Sequence, residues 1–131
     1  MRRFAADMLT ARNIEFHFQT PGGERDVQLG ANIRREVFLI FKESINNLVK
    51  HSGCVRVEVR FQIDEESLVL TISDNGKGFD TTADSDGHGL TSMKERALGL
   101  GAEIGIVSET GRGTTTTLNV PLGANSLVSK S

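Results

Sequence analysis

From about Ala31 to His51 the chain runs without a proline or glycine, and Ile33, Val37, Phe41, Ile45 and Leu48 recur at helical spacing. This predicts one long helix with a single apolar stripe, closed by Gly53. Such a helix needs a surface to cover, and the flanking sequence supplies strands. On one side Ile14, Phe16 and Phe18 alternate with Glu15, His17 and Gln19; on the other Val55, Val57, Val59, Phe61 and Ile63 alternate with Arg56, Glu58, Arg60 and Gln62. Strict alternation leaves each strand one wet face, so the sheet is covered on one side only.

A third strand, with Leu68, Leu70 and Ile72 on one side, follows an Asp64-Glu65-Glu66-Ser67 turn and ends at Asp74. A short helix is expected over residues 2–12, another near Leu90 to Leu98, and two strands near Glu103 to Ser108 and Thr114 to Val120. Strands meeting through hairpins, with helices in blocks, define an α+β class: a two-layer sandwich whose mixed, mostly antiparallel sheet carries helices on one face. The division expected is a linker helix at 1–12, one domain at 13–122 and a Ser-rich tail at 123–131.

With Lys+Arg at 15 against Asp+Glu at 17, no basic field argues for nucleic acid or a membrane surface as partner. Trp and Tyr are absent, which weakens any reading built on base stacking. The single cysteine, Cys54, excludes an internal disulfide framework and fits a reducing compartment. No run approaches the roughly 18 apolar residues of a membrane span, and Asp7 interrupts the start MRRFAADML too early for a signal peptide. The expectation is a soluble, cytoplasmic domain.

Three segments carry candidate chemistry. Glu43, Asn47 and Lys50 fall at i, i+4 and i+7 on the long helix, within an arc of roughly 60° opposite the apolar stripe. A solvated helix face would explain three polar residues. Asn is nevertheless an indifferent helix former, and a carboxylate with an amide oxygen is a hard-ligand set suited to Mg²⁺, with Lys50 able to meet a phosphate. Asp74-Asn75-Gly76-Lys77-Gly78-Phe79-Asp80 ends a strand on a carboxylate and two permissive glycines. Alone it is a turn; it also allows close backbone approach to a ligand. Gly87-His88-Gly89-Leu90 precedes a helix whose first N–H groups lack internal partners, an arrangement suited to anions. Gly111-Arg112-Gly113-Thr114 is explained by a hairpin corner, and Arg96 by a phosphate or a surface ion pair.

The order and wording of these segments, FKESINNLVKHS, DNGKGFD, GHGLTSMKER and GRGTTTTLNVPL, resemble the Bergerat-fold ATPases shared by gyrase, the Hsp90 chaperones, MutL proteins and sensor histidine kinases. Within that set they look most like the ATP-binding catalytic domain of two-component kinases of the nitrate-sensor and lipid-desaturase-sensor group. The resemblance covers about residues 10–122. It implies ATP and Mg²⁺ as cofactors and transfer of the γ-phosphoryl group to a histidine.

Residue by residue, the resemblance makes Asn47 the Mg²⁺ ligand, with Lys50 and His51 meeting phosphate oxygens. Glu43 falls where gyrase-like members carry a general base toward water; with a histidine as acceptor, its role becomes Mg²⁺ organisation or orientation of the nucleophile. Asp74 accepts the adenine amino group, Gly76 and Gly78 let the backbone close over the base, and Phe79 joins the cofactor contacts. Gly87, His88, Gly89 and Leu90 end the ATP lid, and Thr114 places a hydroxyl behind the adenine.

A two-helix dimerisation segment bearing the phosphoacceptor histidine has no counterpart ahead of residue 13, and His17 lies in an expected strand. The partners implied are that dimerisation domain and, indirectly, a response regulator. The isolated domain is expected to be a monomer, compatible with a membrane-anchored parent. Two other readings share the pattern: an anti-sigma-factor-type serine kinase of the same fold, and a nucleotide-binding module without chemistry. The Lys50-His51 pair and the GHGLTSMKER wording separate the first from a histidine kinase. Retention of Glu43, Asn47 and Asp74 argues against the second.

Overall fold

The computed structural model describes residues 2–20, 30–53, 56–64, 66–77 and 90–122. Its elements are α1 (Arg2–Thr10), β1 (Glu15–Gln19), α2 (Ala31–Asn47), β2 (Arg56–Ile63), β3 (Ser67–Asp74), α3 (Leu90–Gly99), β4 (Glu103–Glu109) and β5 (Gly113–Pro121). The five strands form one sheet in the order β1-β2-β3-β5-β4. β1 runs parallel to β2 and every other neighbouring pair is antiparallel. This is the mixed, mostly antiparallel α+β arrangement expected.

One face of the sheet is apolar because the strands alternate. Val57, Val59, Leu68, Leu70, Ile72, Leu118 and Val120 are buried against Ile40, Phe41 and Ile45 of α2 and Met93 and Ala97 of α3 in a single core. The other face stays wet, with Arg56, Glu58, Arg60 and Gln62 exposed. Burying a side chain such as Phe41 or Ile72 contributes about 1.5–3 kcal/mol. The polarity of each strand face therefore decides which side the helices occupy.

α1 joins the same core through Ala5 and Leu9, and Phe4 packs edge-on against Phe38 and Phe41 of α2. The helix stops at a left-handed Asn13, with the Ile14 N–H bonded to the Leu9 carbonyl at 2.9 Å. The β2–β3 turn is held by the Asp64 carboxylate, which accepts the Glu66 and Ser67 N–H groups at 2.8 and 2.9 Å.

The long helix departs from expectation in its last turn. Regular α geometry ends at Asn47, and Leu48–Ser52 forms a π turn that closes on left-handed Gly53. A π turn is wider than an α turn, so Lys50 and His51 do not continue the α-helical stripe of Glu43 and Asn47.

Candidate functional site

The site grows from the end of β3. Leu68, Leu70 and Ile72 point into the core, so alternation carries Asp74 to the helix-covered side at the sheet's margin, where it is half-buried. There its Oδ1 accepts the Gly76 N–H at 2.8 Å, closing an Asx turn. The neighbouring Asn75 binds back to β2: its Oδ1 accepts the Arg56 N–H at 3.0 Å and its own N–H donates to the Arg56 carbonyl at 3.2 Å. Asp74 is thereby held in place from both sides. Burial pushes its carboxyl above the ordinary value, and the backbone N–H groups of Gly76 and Thr114 offset part of that rise.

β5 forms the adjoining wall. Thr114 lies opposite Asp74 and Thr116 opposite Ile72, on the core-facing side of the sheet. The Thr114 hydroxyl is 2.8 Å from the Ser108 hydroxyl across the β4–β5 hairpin, and Ser108 also donates to the Gly113 carbonyl at 3.3 Å. The hairpin corner turns on Gly111 and Gly113, both at positive φ. The Gly111 N–H bonds to the Lys77 carbonyl, so the corner is tied to the Asp-Asn-Gly-Lys turn. A Cβ on Gly113 would run into the Asp74 carbonyl oxygen. The Gly-Arg-Gly segment is thus more than a corner: it braces the turn that presents Asp74.

The second group lies on α2. Glu43 and Asn47 are half-exposed, whereas Val37, Phe41, Ile45 and Leu48 are buried, as the helical spacing requires. Lys50 is exposed on the π turn, and His51 belongs to that turn. Glu43 and Asn47 offer oxygen donors of the hard kind that suits Mg²⁺. Among the described residues no three His, Cys, Asp or Glu side chains gather into a metal cluster. Gly78, Phe79, Gly87, His88 and Gly89 lie outside the described residues, as do the side chains of His51 and Leu90. Leu90 is the first residue of α3.

Two contacts fix α3 against α2. Ser44 is buried, donates to the Ile40 carbonyl at 2.9 Å and touches the Met93 sulfur at 3.3 Å. Arg96 donates to Glu36 at 2.9 Å and, mainly through that bond, holds the Glu36 carboxyl below its usual range. Arg96 therefore serves an ion pair between helices. The groove beside it, about 440 Å³, is lined by Asn32, Arg35, Glu36, Ser92, Glu95, Arg96 and Gly99, and contains none of the candidate site residues. His17 is exposed on the edge strand β1, 2.6 Å from the Glu15 carboxylate.

Sequence reasoning named Asp74, Gly76 and Thr114, which the register brings together, but not Gly113, Ser108 or Thr116 as neighbours of the turn. Their signal was present only as the Gly-Arg-Gly-Thr segment. The strand register that sets it beside Asp74 is a long-range pairing that local pattern does not encode.

The described residues thus hold a half-buried carboxylate on a strand end, two glycine turns locked together, and on α2 a face bearing the oxygens of Glu43 and Asn47. Residues 32–124 match the family described as histidine kinase-, DNA gyrase B-, and HSP90-like ATPase, and the chain belongs to that family. It is 34% identical over 113 residues to the signal transduction histidine-protein kinase/phosphatase DegS of Bacillus subtilis, covering 83% of this chain and 29% of that protein. It is 37% identical over 99 residues to the sensor protein VraS of Staphylococcus epidermidis, covering 75% of this chain and 28% of that one. The chain thus spans less than a third of these curated relatives.

Among solved structures, the histidine kinase domain of the Erythrobacter litoralis EL346 blue-light activated kinase superposes with a TM-score of 0.69 at 23% identity, over 92% of this chain and 57% of that one. The catalytic domain of histidine kinase ThkA gives 0.71 at 13% identity, over 91% and 88%. Both share the fold, which is the Bergerat α+β sandwich.

Proposed function

We propose that the chain is the ATP-binding catalytic domain of a sensor histidine kinase of the nitrate-sensor and desaturase-sensor group. In this reading residues 13–122 bind Mg-ATP and pass its γ-phosphoryl group to a histidine on a separate dimerisation segment; residues 1–12 lead in from the parent protein and 123–131 form a tail. The observation that carries it is the half-buried Asp74 carboxylate, held on a strand end by the Gly76 N–H and backed by Gly113. A fixed, partly desolvated acceptor of this kind selects a ligand that donates, and the exocyclic amine of adenine does so where the guanine oxygen does not.

The roles are those the family resemblance implies for the matching residues. Asp74 accepts the adenine amino group, Gly76 and Gly78 allow close approach, Phe79 adds a base contact, and Thr114 closes the back of the pocket. Asn47, with Glu43 beside it, holds Mg²⁺, which when bound would neutralise charge on the phosphates. Lys50 and His51 meet phosphate oxygens from the π turn, and Gly87, His88, Gly89 and Leu90 present backbone N–H groups to them. Catalysis rests on positioning and charge neutralisation, with Glu43 orienting the attacking nucleophile. The domain acts on the cytoplasmic side as a monomer, docking on the dimerisation segment of its parent and, through it, serving a response regulator.

The test supplies ATP labelled at the γ-phosphate together with a dimerisation domain from the parent protein. Label should appear on a histidine of that domain as an acid-labile phosphoramidate. Label on serine would favour the serine-kinase reading, and binding without transfer would favour a nucleotide-binding module.

A further inference from the structure

The polar contacts between α2 and α3 run in opposite senses along the two helices. Glu36 of α2 meets Arg96 of α3; further along α2, Ser44 meets Met93, which lies nearer the start of α3. The helices are therefore antiparallel, and the same direction leads on α2 to Asn47 and on α3 to its first residue, Leu90. The two contacts differ in strength. Ser44 gives its hydroxyl to the Ile40 carbonyl at 2.9 Å and touches the Met93 sulfur, a weak acceptor, at 3.3 Å. Glu36, only 16% exposed, accepts Arg96 on one oxygen at 2.9 Å and Arg35 on the other at 3.2 Å.

What the ion pair adds is direction. Met93 and Ala97 hold α3 in the core by apolar burial, a non-directional force that leaves a helix free to slide or turn slightly on its sheet. A charge-assisted hydrogen bond fixes distance and angle, and Arg35 on the second oxygen keeps the Glu36 carboxylate from turning away. From Arg96 back to Leu90 is roughly 9 Å of continuous helix, so a slip at Arg96 reappears at the first turn. Asp74, Gly76 and Thr114 depend instead on the pairing of β3 with β5. We propose that Arg96 and Glu36 are a positioning pair that sets the first turn of α3 against the Asn47 end of α2. The pair thereby sets how tightly the triphosphate end of the nucleotide is held and leaves recognition of the base untouched. This rests on the reading that Asn47 and the start of α3 face the phosphates of Mg-ATP.

The test titrates wild type, Arg96→Met, Arg96→Lys, Glu36→Gln and the double variant Glu36→Gln/Arg96→Met with Mg-ATP and, separately, with adenosine. Mg-ATP binding should weaken roughly three- to tenfold in Arg96→Met and in Glu36→Gln, and the double variant should bind no worse than the weaker single one, because the same pair is lost in all three. Adenosine binding should be unchanged throughout, and Arg96→Lys, which restores the cation, should bind Mg-ATP better than Arg96→Met. A merely structural role would weaken both ligands together. The proposal is overturned if Arg96→Met binds Mg-ATP as wild type does, if adenosine binding falls by the same factor, if lysine restores nothing, or if the single losses add in the double variant. Should Arg96→Met fail to fold, the near-isosteric Glu36→Gln decides by the same two ligands. An unaffected Arg96→Met beside a wild type that binds Mg-ATP removes this proposal alone; no Mg-ATP binding by wild type removes it together with the reading of the phosphate end.

Discussion

Gly113 lies against the backbone of Asp74 with no room for a side chain: an added Cβ would strike the Asp74 carbonyl oxygen and sit 3.3 Å from the Asn75 Cα. Gly113 also turns at φ +87, a conformation that side-chain-bearing residues rarely adopt. One glycine thus closes the β4–β5 corner and sets the position of the carboxylate on the neighbouring strand. Gly113→Ala must move one strand end or the other. It should cost roughly 2 kcal/mol or more, lower the melting temperature by about 5–10 °C, and weaken ATP binding at temperatures where the variant is still folded. Gly111→Ala is strained by its own φ of +86 but meets no neighbour. Its effect on ATP should be smaller, and comparative melting with titration checks both.

Asp74 gives the site a pH signature. Its carboxyl is raised above 3.8, first by burial, so the folded protein binds this proton more readily than the unfolded chain. Between the two values the folded state holds more protons, and stability falls as pH rises through that window. The sign is opposite for Glu36, whose lowered value contributes stability that is lost as pH falls through it. Asp74→Asn keeps an oxygen for the Gly76 N–H and removes the buried charge. The ligand-free variant should therefore be at least as stable as wild type at neutral pH, with the gap narrowing on acidification. Its ATP affinity should fall tenfold or more, because the amide can turn a donor toward the adenine amine. Denaturation and nucleotide titration across pH measure both.

Under the proposed function, Asn47 is the residue that should separate binding from transfer. Asn47→Asp retains a helix residue of similar size on the half-exposed face of α2 but alters the charge and geometry of the proposed Mg²⁺ ligand set. Nucleotide binding should persist while phosphotransfer to the dimerisation domain falls by about 100-fold or more. Equal loss of both would remove the distinction drawn between Asn47 and Asp74.

The core makes a stability prediction independent of function. Phe41 is fully buried between the sheet and α1, and Phe41→Ala should cost about 3–5 kcal/mol. Urea denaturation followed by far-ultraviolet circular dichroism reads it.

The helix and strand assignments were legible because each apolar residue recurred at the period its element demands, as Val37, Phe41 and Ile45 do on α2 and Leu68, Leu70 and Ile72 on β3. Asp74 and Gly76 were legible for a related reason: a strand that ends on a carboxylate and glycine carries its turn chemistry locally. The π turn at Leu48–Ser52 was not, since nothing in LVKHS separates it from an α turn. Nor was the pairing of β3 with β5, which brings Gly113 and Thr116 beside residues some forty positions earlier. Arg96 was open between a phosphate and an ion pair until the packing of α3 on α2 brought Glu36 within 2.9 Å.

The most direct test of the central claim is a titration of the wild-type protein with ATP and GTP, with and without Mg²⁺. The Asp74 pocket predicts binding of Mg-ATP, weaker binding without the metal, and GTP weaker than ATP by at least tenfold. No ATP binding, or equal affinity for the two nucleotides, would contradict it.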